Sequence, residues 1–127
     1  MDVQDTVNNN GYSRNKLELL TKMYNIYKKV YPTFSNYKKE EKYALVIEIK
    51  QNLLAAIVNI NLANYVKSKR LSFAQEAQAS FESYRILIRL AYDTGVAKGR
   101  FINEIEKDNE VVSKMLTSYI LSSAKNK

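Results

Sequence analysis

Two arginines one helical turn apart, Arg85 and Arg89, lie in the most apolar half of the segment from Ser72 to Gly95. A guanidinium in such a setting needs an anionic partner. Two arrangements meet that need. One is a ladder of ion pairs along a single helix, since Glu82, Arg85, Arg89 and Asp93 recur three or four residues apart. The other is a docking site for a polyanion or a partner protein, where the planar fork of arginine suits phosphate and carboxylate alike. Little else in the chain is reactive. Cysteine and histidine are both absent. That excludes disulfides, thiol nucleophiles, Cys/His zinc sites and the usual general base at neutral pH. No Gly-rich phosphate loop occurs, and the Glu-x-x-His pairs of di-metal bundles need a histidine. A Ser–Lys or two-carboxylate arrangement is not excluded by composition. The acids, however, stand mostly beside Lys or Arg, as solvated pairs do. The expectation is a non-enzymatic protein without a cofactor.

The elements that position these arginines are helices. Ser72 with Gln75 forms the pattern of a capping box, and Gly95 suits the left-handed residue that closes a helix. Between them Phe73, Ala77, Tyr84, Leu87, Ile88 and Ala91 share one face. Upstream, Leu17, Leu20, Tyr24, Tyr27, Tyr31 and Phe34 alternate three and four apart, so a first helix is expected over residues 14–35, with a kink at Pro32. A second helix is expected over 39–67. Its middle, Leu53 to Ile60, is apolar nearly all round, whereas one bundle core needs only one stripe. Such a helix is either the thick centre of a monomer or a subunit interface, and the interface is the favoured expectation. A fourth helix over 98–122 carries Phe101, Ile105, Val112, Met115, Tyr119 and Ile120 on one face.

Four helices joined by short loops in 127 residues predict a single all-α domain, an up-down-up-down four-helix bundle over 14–122, with a loose tail at 1–13 and a frayed end at 123–127. One proline and three glycines suit long helices with few turns. The amino terminus has two acids and no apolar run, unlike a signal peptide, and the low-charge stretch from Gln51 to Tyr65 is short for a bilayer. A soluble, cytoplasmic protein that does not engage a membrane is expected.

The run Tyr84-Arg85-Ile86-Leu87-Ile88-Arg89-Leu90-Ala91-Tyr92-Asp93 resembles the third helix of the bacterial four-helix family that holds the accessory variability determinant proteins of diversity-generating retroelements. The rRNA intervening-sequence proteins are more distant kin of that family. Tyr31-Pro32 and the stretch from Leu53 to Asn64 fit the same pattern, and the likeness covers roughly 16–122. The chain departs from it at Asn36-Tyr37-Lys38, where Phe-Pro-Lys is usual, and at Thr117-Ser118-Tyr119, where Gly-Gly-Trp is usual. The resemblance implies a ring-like homopentameric barrel. It also implies a nucleic-acid partner, RNA template or DNA, and a reverse transcriptase whose mutagenic copying the protein supports.

Net charge is +7, which serves solubility or a polyanion. In the expected topology the first and third loops share one end of the bundle. That end collects Lys28, Lys29, Lys38, Lys39, Lys42, Arg85, Arg89, Lys98 and Arg100, against Glu40, Glu41 and Asp93. These cations form the candidate site for nucleic acid or a partner protein. Symmetry would multiply the patch, and its affinity for a polyanion would fall with salt. The competing expectation is a homo-oligomeric helical scaffold that binds a protein partner and no nucleic acid.

Overall fold

A computed structural model of the protein describes residues 11–34, 40–99 and 102–125, with side chains for 18–34, 43–99 and 102–125. Four α-helices account for nearly all of them: α1 (Gly11–Val30), α2 (Glu40–Tyr65), α3 (Arg70–Asp93) and α4 (Ile102–Lys125). Short 3₁₀ turns, Tyr31–Phe34 and Lys67–Lys69, follow α1 and α2. Each helix packs against the next in sequence, and α4 closes the ring against α1. The expected all-α bundle is therefore present. The contact between α2 and α3 is the most extensive. Its close approach follows from the alanines buried on both helices, Ala56 and Ala63 with Ala74, Ala77 and Ala91.

Several boundaries differ from expectation, each for a local reason. Gly11 to Ser13, expected in the tail, already belong to α1. Pro32 has no N–H to continue the ladder, so α1 ends at Val30 and the chain tightens into the 3₁₀ turn instead of a kinked α-helix. The Thr33 hydroxyl donates to the Val30 carbonyl at 2.7 Å, and Phe34 stays buried. The expected capping box does not form. Helix α3 starts at Arg70, its N-cap Lys69 makes no side-chain cap bond, and Ser72 lies inside the first turn. Arg70 is held there because its guanidinium donates to the Ala63 and Asn64 carbonyls, at 3.0 and 3.3 Å, satisfying the open end of α2. Gly95, by contrast, behaves as expected. With φ +79° it closes α3 in a Schellman turn, Val96 N–H donating to the Ala91 carbonyl at 2.8 Å and Gly95 N–H to Tyr92 at 3.2 Å. Lys98 and Gly99 lie in the loop, and α4 continues past Ser122 to Lys125.

The core faces are also rotated in places. On α1 the buried residues are Leu19, Met23, Ile26 and Val30; the expected seam of Leu20, Tyr24, Tyr27 and Tyr31 lies one position round. Tyr24 and Tyr31 are 59% and 56% exposed. On α3 Phe81 and Ala74 are in the core while Phe73 and Leu87 pack at its margin. On α4 Asn109, Leu116 and Ser123 join Ile105, Val112 and Tyr119 inside.

Helix α2 buries Val46, Ile49, Leu53, Ala56, Ile60 and Ala63. The opposite side carries a second seam, Tyr43, Ile47, Gln51, Leu54, Val58, Asn61 and Tyr65, three or four residues apart, which stays exposed or half-buried. The low-charge stretch that begins at Gln51 thus continues as helix back to Tyr43. By length and composition alone these 23 residues could cross a bilayer. Here one whole stripe of them is bundle core, and Glu48, Lys50 and four asparagines lie within the span.

Candidate functional site

The expected basic end is best built from α4, which takes ion pairs from both sides. Lys29, in the last turn of α1, reaches Glu104 at 2.6 Å and Asp108 at 2.7 Å. Its hydrogen bonds to Asp108 and then to Glu104 raise its pKa above the ordinary lysine value. Glu104 and Asp108 are four residues apart, so both carboxylates face α1. Arg89, on α3, pairs with Glu106 at 3.9 Å across the other side of α4. One turn back, Arg85 donates to the Ser113 hydroxyl at 2.9 Å, and that hydroxyl donates to Glu82 at 2.7 Å. Arg85 is also 3.9 Å from the Glu82 carboxylate.

Of the expected intrahelical ladder, the Glu82–Arg85 rung is present, whereas Arg89 turns to Glu106 on α4. The acids at the start of α4 were absent from the charge balance drawn on sequence. They were legible: the same topology that brings Lys98 to this end also brings Glu104, Glu106 and Asp108. Lys28 is exposed and its ammonium lies 5.5 Å from the Tyr24 ring centroid. Lys98 is exposed in the loop after α3. Lys38, Lys39 and Arg100 lie outside the described residues, as does the side chain of Lys42 in the first turn of α2. Lys29 and the two arginines thus flank α4 from opposite sides, and Lys29, Arg85 and Arg89 are each matched by a carboxylate.

Beneath this charged layer lies a buried polar contact. Tyr84 donates to the Asn109 side-chain oxygen at 3.0 Å, with both residues fully buried. Burial drives the Tyr84 pKa well up, so the phenol is neutral. Asn109 Nδ2 and the Tyr92 hydroxyl are buried without a protein partner. Burial, then the nearby Glu106, raises the Tyr92 pKa. Among the described residues no cluster of three or more His, Cys, Asp or Glu could hold a metal ion. At the far end an open groove of about 290 Å³ runs between the start of α1 and the end of α4, over Leu19, Met115 and Tyr119.

A different surface stands out on the outer side of α1 and α2. Tyr24, Tyr31, Tyr43, Leu54, Val58 and Tyr65 are all more than 40% exposed. Lys50 lies 4.1 Å from the Tyr31 ring centroid, linking the two helices across this face. Sequence reading found its α2 half through the excess of apolar residues, and assigned its α1 half to the core. Comparison with known proteins gives no matching family model, no matching curated relative and no matching solved structure.

Proposed function

We propose that this protein is a non-enzymatic interaction module, a helical bundle that assembles with itself through the outer face of α1 and α2. The observation that carries this reading is the second seam of α2. Leu54 and Val58 are 42% and 54% exposed in the middle of a helix whose other side is already fully packed. Large apolar side chains repeating at helical spacing on a surface mark an interface. The basic end carries the reading less far, because Lys29, Arg85 and Arg89 are engaged with carboxylates of the same chain. Native mass and sedimentation test the reading: the wild-type chain is oligomeric, and Val58→Lys shifts it to monomer with its helical circular dichroism intact. A wild-type chain that is monomeric at high micromolar concentration overturns it.

A second reading is favoured by one observation, the lysines laid on tyrosine faces at Tyr24 and Tyr31 beneath a net charge of +7. Aromatic rings between cations are the chemistry that binds single-stranded nucleic acid. On this reading the protein is a nucleic-acid-binding accessory subunit, and the reverse transcriptase implied by the resemblance is its protein partner. Charge reversal at Lys28 and Lys50 then weakens RNA binding and flattens its salt dependence; unchanged binding overturns it.

A further inference from the structure

We infer that the exposed seam of α2 is covered by the same seam of a second copy of this chain, antiparallel, with a two-fold axis level with Ala56. This rests on the self-assembly reading above and specifies its geometry. Six seam positions, Ile47, Gln51, Leu54, Val58, Asn61 and Tyr65, repeat at intervals of four, three, four, three and four residues. That is the spacing of a coiled-coil seam. Reversed and laid on itself about position 56, the set matches in chemistry at every step. Leu54 meets Val58 of the other copy, Ile47 meets Tyr65, and Gln51 meets Asn61. Apolar faces apolar, and each side-chain amide faces another amide with which it exchanges hydrogen bonds. An isologous interface requires this property: if residue i meets residue j, residue j meets residue i.

Other registers fail on the same criterion. Shifting the pair by one seam step places Gln51 against Val58 and Ile47 against Asn61, or Asn61 against Leu54 and Gln51 against Tyr65, leaving amides opposite apolar side chains. A parallel pair in register also keeps like with like, but it aligns the two helix macrodipoles, which the antiparallel pair sets in opposition. In the antiparallel pair the two Lys50 residues are about 18 Å apart along the axis and the two Glu48 residues about 24 Å, both beyond the screening length.

The area is adequate. Leu54, Val58 and Tyr65 of the seam, with Tyr43 and the α1 residues Tyr24 and Tyr31 that flank it, offer roughly 600 Å² of side chain, the low end of a standard interface at about 1,200 Å² for the pair. Residues 1–10, MDVQDTVNNN, hold three apolar side chains among ten, a composition unlike that of the seam. Lipid is disfavoured because Gln51 and Asn61 sit within the seam.

The absence of native cysteine makes the test direct. Single-cysteine variants at exposed or half-buried seam positions are treated with a short bis-maleimide. Mixing Ile47→Cys with Tyr65→Cys is expected to yield cross-linked heterodimer as the main product, whereas Leu54→Cys and Val58→Cys cross-link alone or mixed, because those positions lie within about 6 Å of one another along the pair. Tyr65→Cys alone is expected to yield almost none, because the two Tyr65 positions lie about 27 Å apart along the pair. Circular dichroism of each variant confirms that it is folded. Efficient self-cross-linking of Tyr65→Cys means a parallel pair and overturns the inference. Absence of cross-links in the mixtures, with native mass still oligomeric, overturns it too and leaves the self-assembly reading standing. A monomer by native mass overturns both. Co-sedimentation of the wild-type chain with phosphatidylcholine–phosphatidylglycerol vesicles, lost in Val58→Lys, assigns the seam to lipid and overturns the second copy as its occupant.

Discussion

Leu53 and Leu54 are neighbours in sequence and opposites in setting. Leu53 is fully buried in the seam that α2 shares with the bundle, and Leu54 is 42% exposed in the seam on its outer side. The two seams have the same spacing, yet only the inner one is covered by the other helices of the bundle. The basic end of the bundle makes the contrast sharper. Its charges are exposed and look available in sequence, but Lys29, Arg85 and Arg89 already have carboxylate partners from their own chain. A surface is informative when its side chains are at odds with water. By that measure the apolar outer face of α2 says more about function than the charged rim does.

The largest effects separate the two leucines. Leu53→Ala removes a fully packed side chain and leaves a cavity, so the folded chain loses about 2–5 kcal/mol in urea unfolding. Leu54→Ala at a protein concentration too low for assembly costs less than about 0.5 kcal/mol. Its effect falls on association instead, where loss of the facing contact weakens self-assembly several-fold in sedimentation equilibrium. Equal unfolding losses for the two variants would mean that Leu54 belongs to the core and that α2 has no outer interface.

The sequence carried the helical architecture well because that depends on periodicity. Helix number, the Schellman turn at Gly95 and the two-sided apolar character of α2 were all legible. The rotation of α1 was not. Leu19-Met23-Ile26-Val30 and Leu20-Tyr24-Tyr27-Tyr31 have identical spacing and lie about 100° apart on the helix. Periodicity cannot choose between two such stripes. Packing chooses the aliphatic one, which has no polar atom to leave buried, and the tyrosines keep their hydroxyls near water. The start of α3 was misread for a similar reason: Ser72 competes as a cap with Arg70, whose bonds to the end of α2 exist only once the helices are packed. The site was less legible than the fold. Pairing of Lys29 with Glu104 and Asp108 joins residues 75 and 79 positions apart, and no local pattern encodes it.

A smaller effect probes the polar layer between core and rim. Tyr84→Phe preserves the ring but leaves the Asn109 oxygen, as well as its nitrogen, buried without a protein partner. The expected loss is about 1–3 kcal/mol in unfolding free energy. Tyr84→Phe combined with Asn109→Leu recovers part of it, since an apolar pair in the same place has no unmet hydrogen bond. If the double variant is worse than the single one, Asn109 has a further partner that the Tyr84 contact does not account for.

The smallest effect, at Lys29, distinguishes a paired rim from an open one through pH. The Asp108 and Glu104 carboxylates hold its folded-state pKa above the ordinary value of 10.5. A lysine raised in this way contributes stability that is fully present below the unfolded pKa and is lost as pH rises through the higher folded value. The side chain is 36% exposed, so solvent limits that contribution to under about 1 kcal/mol at neutral pH. Lys29→Met should therefore be slightly less stable than the wild-type chain at pH 7 to 9, with the gap closing above about pH 10.5. Using the difference between the two chains cancels the titration of the tyrosines that both share. A gap that is the same at pH 7 and pH 11.5 would show that the Lys29 ammonium draws nothing from α4, leaving it free for an outside polyanion and restoring the basic end as the stronger candidate.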